Sequence, residues 1–418
     1  MNRVNYNNIF ILILGTVLSQ LVPVALQPLL RRQYTPEDFG QFAMFSAVTE
    51  VLVTIASFRY EQAILIPKED EESKDIFKLT LLICLIFNTI VLLFFTFIAL
   101  FDINYLKPKG ISNLSLLLIP LTTFFFSVIN SGSHWYNRSG SFKDLSLNKL
   151  YRRVSEGITQ VFFGFLSNPL GLIFGMFFGV FISSFHVFYK TKILKKFFFE
   201  IDFHYSKYIF LKYNTFFFYG VFPSLLYILS TFIPVFIISS HFSTNIVGQF
   251  DLSRQVLAFP LVIISMSLNQ VLIKKVILKF HNNESFMKEL NTTFFATSII
   301  AILIIIGYYI IGNFLVLFVF GEKWKIAAQI SEILVIGYGV KFVSTSIYHI
   351  LIPLNKLKVL GIWQIINFLL SLCLAFPYFN NSNIEFFVIS YTVFEVVSNT
   401  LCIIFVYKVS RDVICDLK

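Results

Sequence analysis

The stretch TPEDFGQFAMFSAVTEVLVTIASFRYEQAIL, Thr35–Leu65, decides the fold. From Phe39 to Ile66 it is apolar over more than the roughly 20 residues that a helix needs to cross the hydrocarbon core of a bilayer. It also holds Glu50, Arg59 and Glu61, and charge inside a membrane helix is expensive enough to require a cavity or a partner. The rest of the chain has the same character. Of its 418 residues, 56% are hydrophobic, 13% are charged and 53 are phenylalanine, a composition that belongs to a polytopic membrane protein. Runs of spanning length are predicted at 9–30, 39–66, 77–101, 114–135, 147–166, 169–189, 214–240, 247–273, 293–319, 327–354, 359–378 and 384–407. The fifth is the weakest, because it opens on the charged sequence YRRVSE. The expected fold is all-α, with about 12 transmembrane helices.

The first run has the look of a secretory signal, but no small-residue cleavage site follows it and further runs do, so it is read as a retained helix. Basic residues near span ends stay on the cytoplasmic side. With the N-terminus inside, about four basic residues fall on inner segments for each one on an outer segment; the outer ones are Arg31, Arg32, Lys107, Lys109, Lys323 and Lys325. Both termini are therefore expected in the cytoplasm. The net charge of +10 is mostly that inner belt, which suits anionic lipid headgroups and calls for no nucleic acid. Cys84, Cys373, Cys402 and Cys415 show no CxxC spacing and imply neither a disulfide framework nor a metal site.

The longest basic inner segment, KTKILKKFFFEIDFHYSKY, begins at Lys190 and leaves six runs on either side. The expected organisation is an N-lobe at 1–189, a basic cytoplasmic linker at 190–213 and a C-lobe at 214–418. An even number of spans gives the two halves one orientation, which a duplication would explain. An offset of 208 sets TPEDFGQF at Thr35 against STNIVGQF at Ser243, and carries Ser57 onto Ser265 and Gln62 onto Gln270. Parallel six-helix repeats related by a pseudo-twofold axis along the membrane normal suit a transporter whose lobes rock about a site between them.

At about 100° per residue, Ser46, Glu50, Thr54, Ser57 and Glu61 share one line along the second span, whereas Arg59 points about 180° from Glu50. On that geometry the arginine and glutamate of SFRYEQAIL serve different environments. The matching line of the eighth span carries Asp251, Gln255, Ser265 and Asn269, with Arg254 at its margin. Glu50 lies too deep to reach the interface and is read as facing a cavity, with a structural ion pair as the alternative. For Arg59 and Glu61, close to the inner end, snorkelling or a salt bridge to a neighbouring helix accounts for the charge equally well. Arg254 and Lys341, the latter on a polar face with Ser344, Thr345 and Tyr348, are candidates for anion contact or structural pairing; Glu395 is similarly isolated in the last span. Pro23 and Pro28 in the first run and Pro223 and Pro234 in the seventh interrupt helices at matching positions of the two halves, as at cavities or hinges. Gly171, Gly175 and Gly179 in GLIFGMFFG read as a helix-packing face.

Together, QPLLRRQYTPEDFGQF, FRYEQAILIPKEDEES and NIVGQFDLSRQVLAFP, set in the twelve-span pattern, resemble the Wzx-type O-antigen and capsular polysaccharide flippases, polysaccharide transporters of the superfamily that also holds the multidrug MATE exporters. The resemblance covers nearly the whole chain. It implies a V-shaped pair of six-helix bundles in a bacterial inner membrane, moving an undecaprenyl-diphosphate-linked oligosaccharide to the outer leaflet by alternating access. Under that resemblance, Arg254, Lys341 and Arg59 would contact the diphosphate. Gln20, Gln27, Thr54, Ser57, Asn130, Ser265 and Asn269 would line the cavity and bind sugars. Glu50, Glu61 and Glu395 do not suit a diphosphate, and coupling to H+ or Na+ would give them a use. No cofactor is expected, and the polymerase and chain-length regulator of the same pathway are candidate partners.

Other readings are weaker. A cation-coupled multidrug exporter would have an acidic, aromatic cavity, whereas acids and bases are mixed here. A polysaccharide polymerase would carry a large outer loop, and the chain contains no HExxH, GxSxG or P-loop that would mark an enzyme. A major-facilitator transporter would have a glycine-rich basic loop where this chain has PKEDEESKD.

Overall fold

The computed structural model describes residues 6–103, 105–192, 203–354, 356–374 and 383–416. Every regular element among them is helical. Each predicted run falls on a helix: α1 (Tyr6–Gln33), α2 (Pro36–Ala56) with the short α3 (Tyr60–Ala63), α4 (Asp70–Leu100), α5 (Asn113–Arg138), α6 (Phe142–Phe165) and α7 (Gly171–Thr191). After a surface helix α8 (Phe203–Lys212) come α9 (Phe222–His241), α10 (Thr244–His281), α11 (Met287–Phe320), α12 (Lys325–Ile347), α13 (Leu357–Leu372) and α14 (Ile384–Asp416). Nine helices among the described residues are long and apolar enough to cross a membrane, and α13 is a shorter apolar helix. The eleventh run was expected to reach 378; residues 375–378 lie outside those described. So do residues 193–202 of the expected linker.

Local chemistry sets the helix starts. Thr35 is extended (φ −85°, ψ 160°) and forms a capping box: its hydroxyl accepts the Asp38 amide at 3.2 Å while the Asp38 carboxylate accepts the Thr35 amide at 2.8 Å. Such a cap is worth about 1 kcal/mol, and Pro36 in the first turn gives up only an amide that has no helical partner. Ser243, which the 208 offset sets on Thr35, stands at the N-cap of α10 with nearly the same backbone, φ −77° and ψ 156°, but its side chain makes no capping hydrogen bond. The two helices that carry the GQF triplets thus share a backbone turn at their starts and not the side-chain cap.

They do not continue alike. Whereas α10 runs on through Pro260, α2 stops at Ala56 and the chain turns at Ser57. Phe58 and Arg59 follow with φ of +50° and +63°, a left-handed conformation that costs a residue with a Cβ roughly 1–2 kcal/mol. The expectation of one continuous helix over 39–66 is therefore corrected, and the helical projection fails beyond Ser57. What holds the break is packing. Phe58 meets Phe217 edge to face at 5.0 Å, and the Arg59 stem lies against Gly220 in a π-helical turn, Phe217–Val221, that precedes α9.

The chain forms two compact units, Met1–Ile228 and Leu229–Lys418. In the first, α6 packs chiefly on α7 and α1, and α5 on α4, α7 and α2. The glycine face of α7 brings the α6 backbone close: a Cβ on Gly179 would lie 2.9 Å from the Arg152 carbonyl, and one on Gly175 2.9 Å from the Glu156 carbonyl. On the same unit, α8 is fastened to α4 and α3. Glu72 accepts from the Lys212 ammonium at 2.5 Å and from the Tyr213 hydroxyl at 3.0 Å, and Tyr60 donates to the Phe210 carbonyl at 2.6 Å with the two rings stacked. The Glu72 hydrogen bond holds the Lys212 ammonium above its ordinary pKa. In the second unit α12 is central, packed by α11, α14 and α10.

Candidate functional site

A polar cluster sits inside the second unit, built from three helices. From α12, the Lys341 ammonium donates to Glu395 of α14 at 2.8 Å and lies 5.4 Å from the centre of the Tyr338 ring. Glu395 is buried and collects two further donors from its own helix, the Tyr391 hydroxyl at 2.6 Å and the Asn399 amide at 2.9 Å. From α10, Arg254 interacts with Tyr338, Tyr391 and Asp251, and its charge reaches Glu395 as well. The helical period explains the alignment: Tyr391, Glu395 and Asn399 stand four residues apart on one face of α14, as Tyr338 and Lys341 do three apart on α12.

This cluster has unspent hydrogen-bonding capacity. The Arg254 Nε, Gln255 Oε1 and Asn269 Oδ1 atoms are buried without a hydrogen-bond partner, although Gln255 donates to Asp251 at 2.8 Å. Buried polar atoms are usually paired, and such unpaired atoms occur in both units, so on α10 it is the unpaired Arg254 Nε, near the Lys341–Glu395 pair, that offers a donor to an anionic ligand. Ser265 returns its hydroxyl to the Val262 carbonyl at 3.1 Å.

The first unit carries a second cluster around the α2 break. The carboxylate of Glu61 accepts a hydrogen bond from Ser57 and lies 3.6 Å from the Arg59 guanidinium. Arg59 and Glu61 are thus partners, contrary to the opposite-face expectation, because the left-handed residues 58 and 59 end the helix that the projection assumed to continue. His134 of α5 is within electrostatic reach of both. Deeper in α2, Glu50 feels the charge of Arg152 on α6, and the Arg152 guanidinium covers the Phe126 ring at 4.2 Å. Arg153 pairs with Glu156 at 3.1 Å. Thr54 donates back to the Glu50 carbonyl at 2.9 Å. Gln27 accepts from Arg31 at 3.0 Å, Gln20 is exposed on α1, and Asn130 is half-buried on α5. Among the described residues no group of three or more His, Cys, Asp or Glu could hold a metal ion.

Sequence reasoning missed Arg152. It opens the charged stretch of the fifth predicted run and stood among no candidate site residues; it lies with Lys149 and Arg153 within α6, and discounting all three from the inner belt leaves the sign of the basic asymmetry unchanged. The spacing of Lys149, Arg152 and Glu156 on one helical face was the available signal. Arg31, assigned to an outer loop, is fully buried in the last turn of α1 beneath the Phe39 ring at 3.6 Å.

The fold is that of a multi-pass helical membrane protein, and ionisable side chains paired inside such helices mark candidate substrate or ion paths. Over residues 29–329 the chain matches the polysaccharide biosynthesis protein family, to which it belongs. No curated protein matches it. Among solved structures, the fold is similar to lipid II flippase MurJ in an inward closed conformation, with a TM-score of 0.73 and 14% identity over 98% of this chain and 90% of that one. It is also similar to a multidrug resistance MATE family transporter of the MOP superfamily, inward-facing, at TM-score 0.70 and 11% identity, covering 94% and 95% of the two chains. The outward-facing conformation of a MATE family transporter of that superfamily gives 0.61 and 12%, covering 97% and 96%.

Proposed function

We propose that the protein is a flippase that moves an undecaprenyl-diphosphate-linked oligosaccharide from the cytoplasmic to the periplasmic leaflet of a bacterial inner membrane, by alternating access, for O-antigen or capsular polysaccharide synthesis. The observation that carries this reading is the pair of cations, Arg254 and Lys341, set among tyrosine hydroxyls and unpaired amide oxygens within membrane helices. Guanidinium and ammonium groups out of bulk water suit a diphosphate, and amide and hydroxyl groups suit sugars. Family membership and the likeness to a lipid II flippase support it. A multidrug exporter of the same fold is the other reading, but cation capture needs an acid free of local bases. Here Glu61 has Arg59, Glu395 has Lys341 and Glu50 has Arg152.

The test uses the full chain in proteoliposomes loaded with fluorescent undecaprenyl-diphosphate-linked oligosaccharide, read by quenching from one side. Transport by the unaltered chain and at least a tenfold loss in Arg254→Ala and Lys341→Ala, at equal incorporation, are expected. Transport of cationic dyes instead of the lipid would overturn the reading.

A further inference from the structure

We infer that Glu395 is a built-in competitor for the anion site of α10, α12 and α14: its carboxylate takes the place of a substrate phosphate on Lys341 and hands the cation over when the substrate arrives. The inference rests on the proposed lipid-diphosphate reading and deepens it. Geometry carries it. Glu395 accepts from Lys341, Tyr391 and Asn399 at 2.8, 2.6 and 2.9 Å, so one oxygen receives a cationic and a hydroxyl donor and the other an amide. That is the donor set a phosphate oxygen would seek. Yet the set is wider than one carboxylate uses. Lys341 has three N–H donors and spends one on Glu395, its side chain is 38% exposed while that of Glu395 is 5% exposed, and the Nε donor of Arg254 is buried without a partner.

That asymmetry suggests how an exchange would run. Lys341 is the half of the pair that can reach a ligand, on a flexible stem with rotatable donors. Glu395 stays behind, still held by Tyr391 and Asn399, with Arg254 near enough to limit the penalty of an unpaired buried carboxylate. When the ligand leaves, the carboxylate takes Lys341 back, so release does not strand a lone ammonium in the membrane. The pair would therefore lower affinity and speed release. Binding a substrate tightly without releasing it gains a transporter nothing, just as uniform tight binding gains an enzyme nothing.

The experiment compares the full chain with Glu395→Gln in nanodiscs, using fluorescent undecaprenyl diphosphate as the probe and the proteoliposome assay for turnover. Glutamine keeps the size and one acceptor oxygen, enough for the Tyr391 donor but not for Asn399 as well, and removes the negative charge. We expect the variant to bind the probe about tenfold tighter and to turn over several-fold more slowly. Tyr391→Phe removes a donor that steadies the carboxylate once Lys341 has left, so it should weaken probe binding several-fold, and it keeps the exchange testable if Glu395→Gln fails to fold. Equal or weaker binding in Glu395→Gln, or unchanged or tighter binding in Tyr391→Phe, would overturn the exchange while leaving the flippase reading intact. Absence of saturable probe binding in the unaltered chain would remove that reading and the exchange with it.

Discussion

Ser57 donates its hydroxyl proton to a carboxylate at the one point where α2 has stopped and the backbone has turned left-handed. Because Glu61 is buried, losing that donor leaves a charged acceptor undersatisfied, so Ser57→Ala is expected to destabilise the protein by about 1–3 kcal/mol, visible as a lower melting temperature in detergent. An unchanged melt would mean that Arg59 alone holds Glu61. At this scale the sequence was partly legible. Glu50, Arg254, Lys341 and Glu395 stand out because an ionisable residue in an apolar run is a one-dimensional signal. What each one touches is not. Lys341 and Glu395 are 54 residues apart, and only the packing of α12 on α14 brings them together. The pairing of Arg59 with Glu61 was hidden because rotation by a fixed angle assumes an unbroken helix, and neither Phe58 nor Arg59 is a residue type that advertises a positive φ.

Among the elements, α6 and α7 test the packing argument most directly. A leucine at Gly175 would drive its side chain into the Gln160 stem and the Glu156 carbonyl, where backbone cannot give way. Gly175→Leu should cost about 1–3 kcal/mol or more and lower the yield of folded protein, whereas Gly361→Ala, with no atom nearby, should cost no more than a few tenths. Comparable losses from both would refute close packing of α6 on α7. The glycine repeat announced that face, and the shared backbone turn at the starts of α2 and α10 was legible in the GQF alignment, although only Thr35 caps with its side chain. The end of α2 was not, since tertiary contacts with Phe217 and Gly220 sustain the break. Nor was α6 read in full: its charge density made it the weakest predicted span, and Arg152 went unnamed as a site residue.

For the molecule as a whole, the basic asymmetry makes an orientation that can be measured. In a chain with its four cysteines replaced, a single cysteine at Lys323 should react with a membrane-impermeant maleimide added to intact cells, and one at Lys408 should react only after permeabilisation. The reverse pattern would invert the topology. The number and order of spans was legible because bilayer thickness fixes their length; the division of the chain after Ile228 was less so, since α8 and the π-turn pack on the first unit through side chains that no composition shift announces.

The Lys341–Glu395 pair has a consequence before the protein is ever folded. During synthesis α12 reaches the insertion machinery with a lone ammonium in its second half, at a penalty of up to about 2.5–3.5 kcal/mol, while its counter-charge lies 54 residues further along the chain and is still to follow from the ribosome. A chain ended before α14 should therefore leave α12 poorly inserted and exposed to quality-control proteolysis, and Lys341→Leu should restore its insertion. The last helix would then act as a licence for the tenth span to stay in the bilayer, so that truncated products are removed rather than left as leaks.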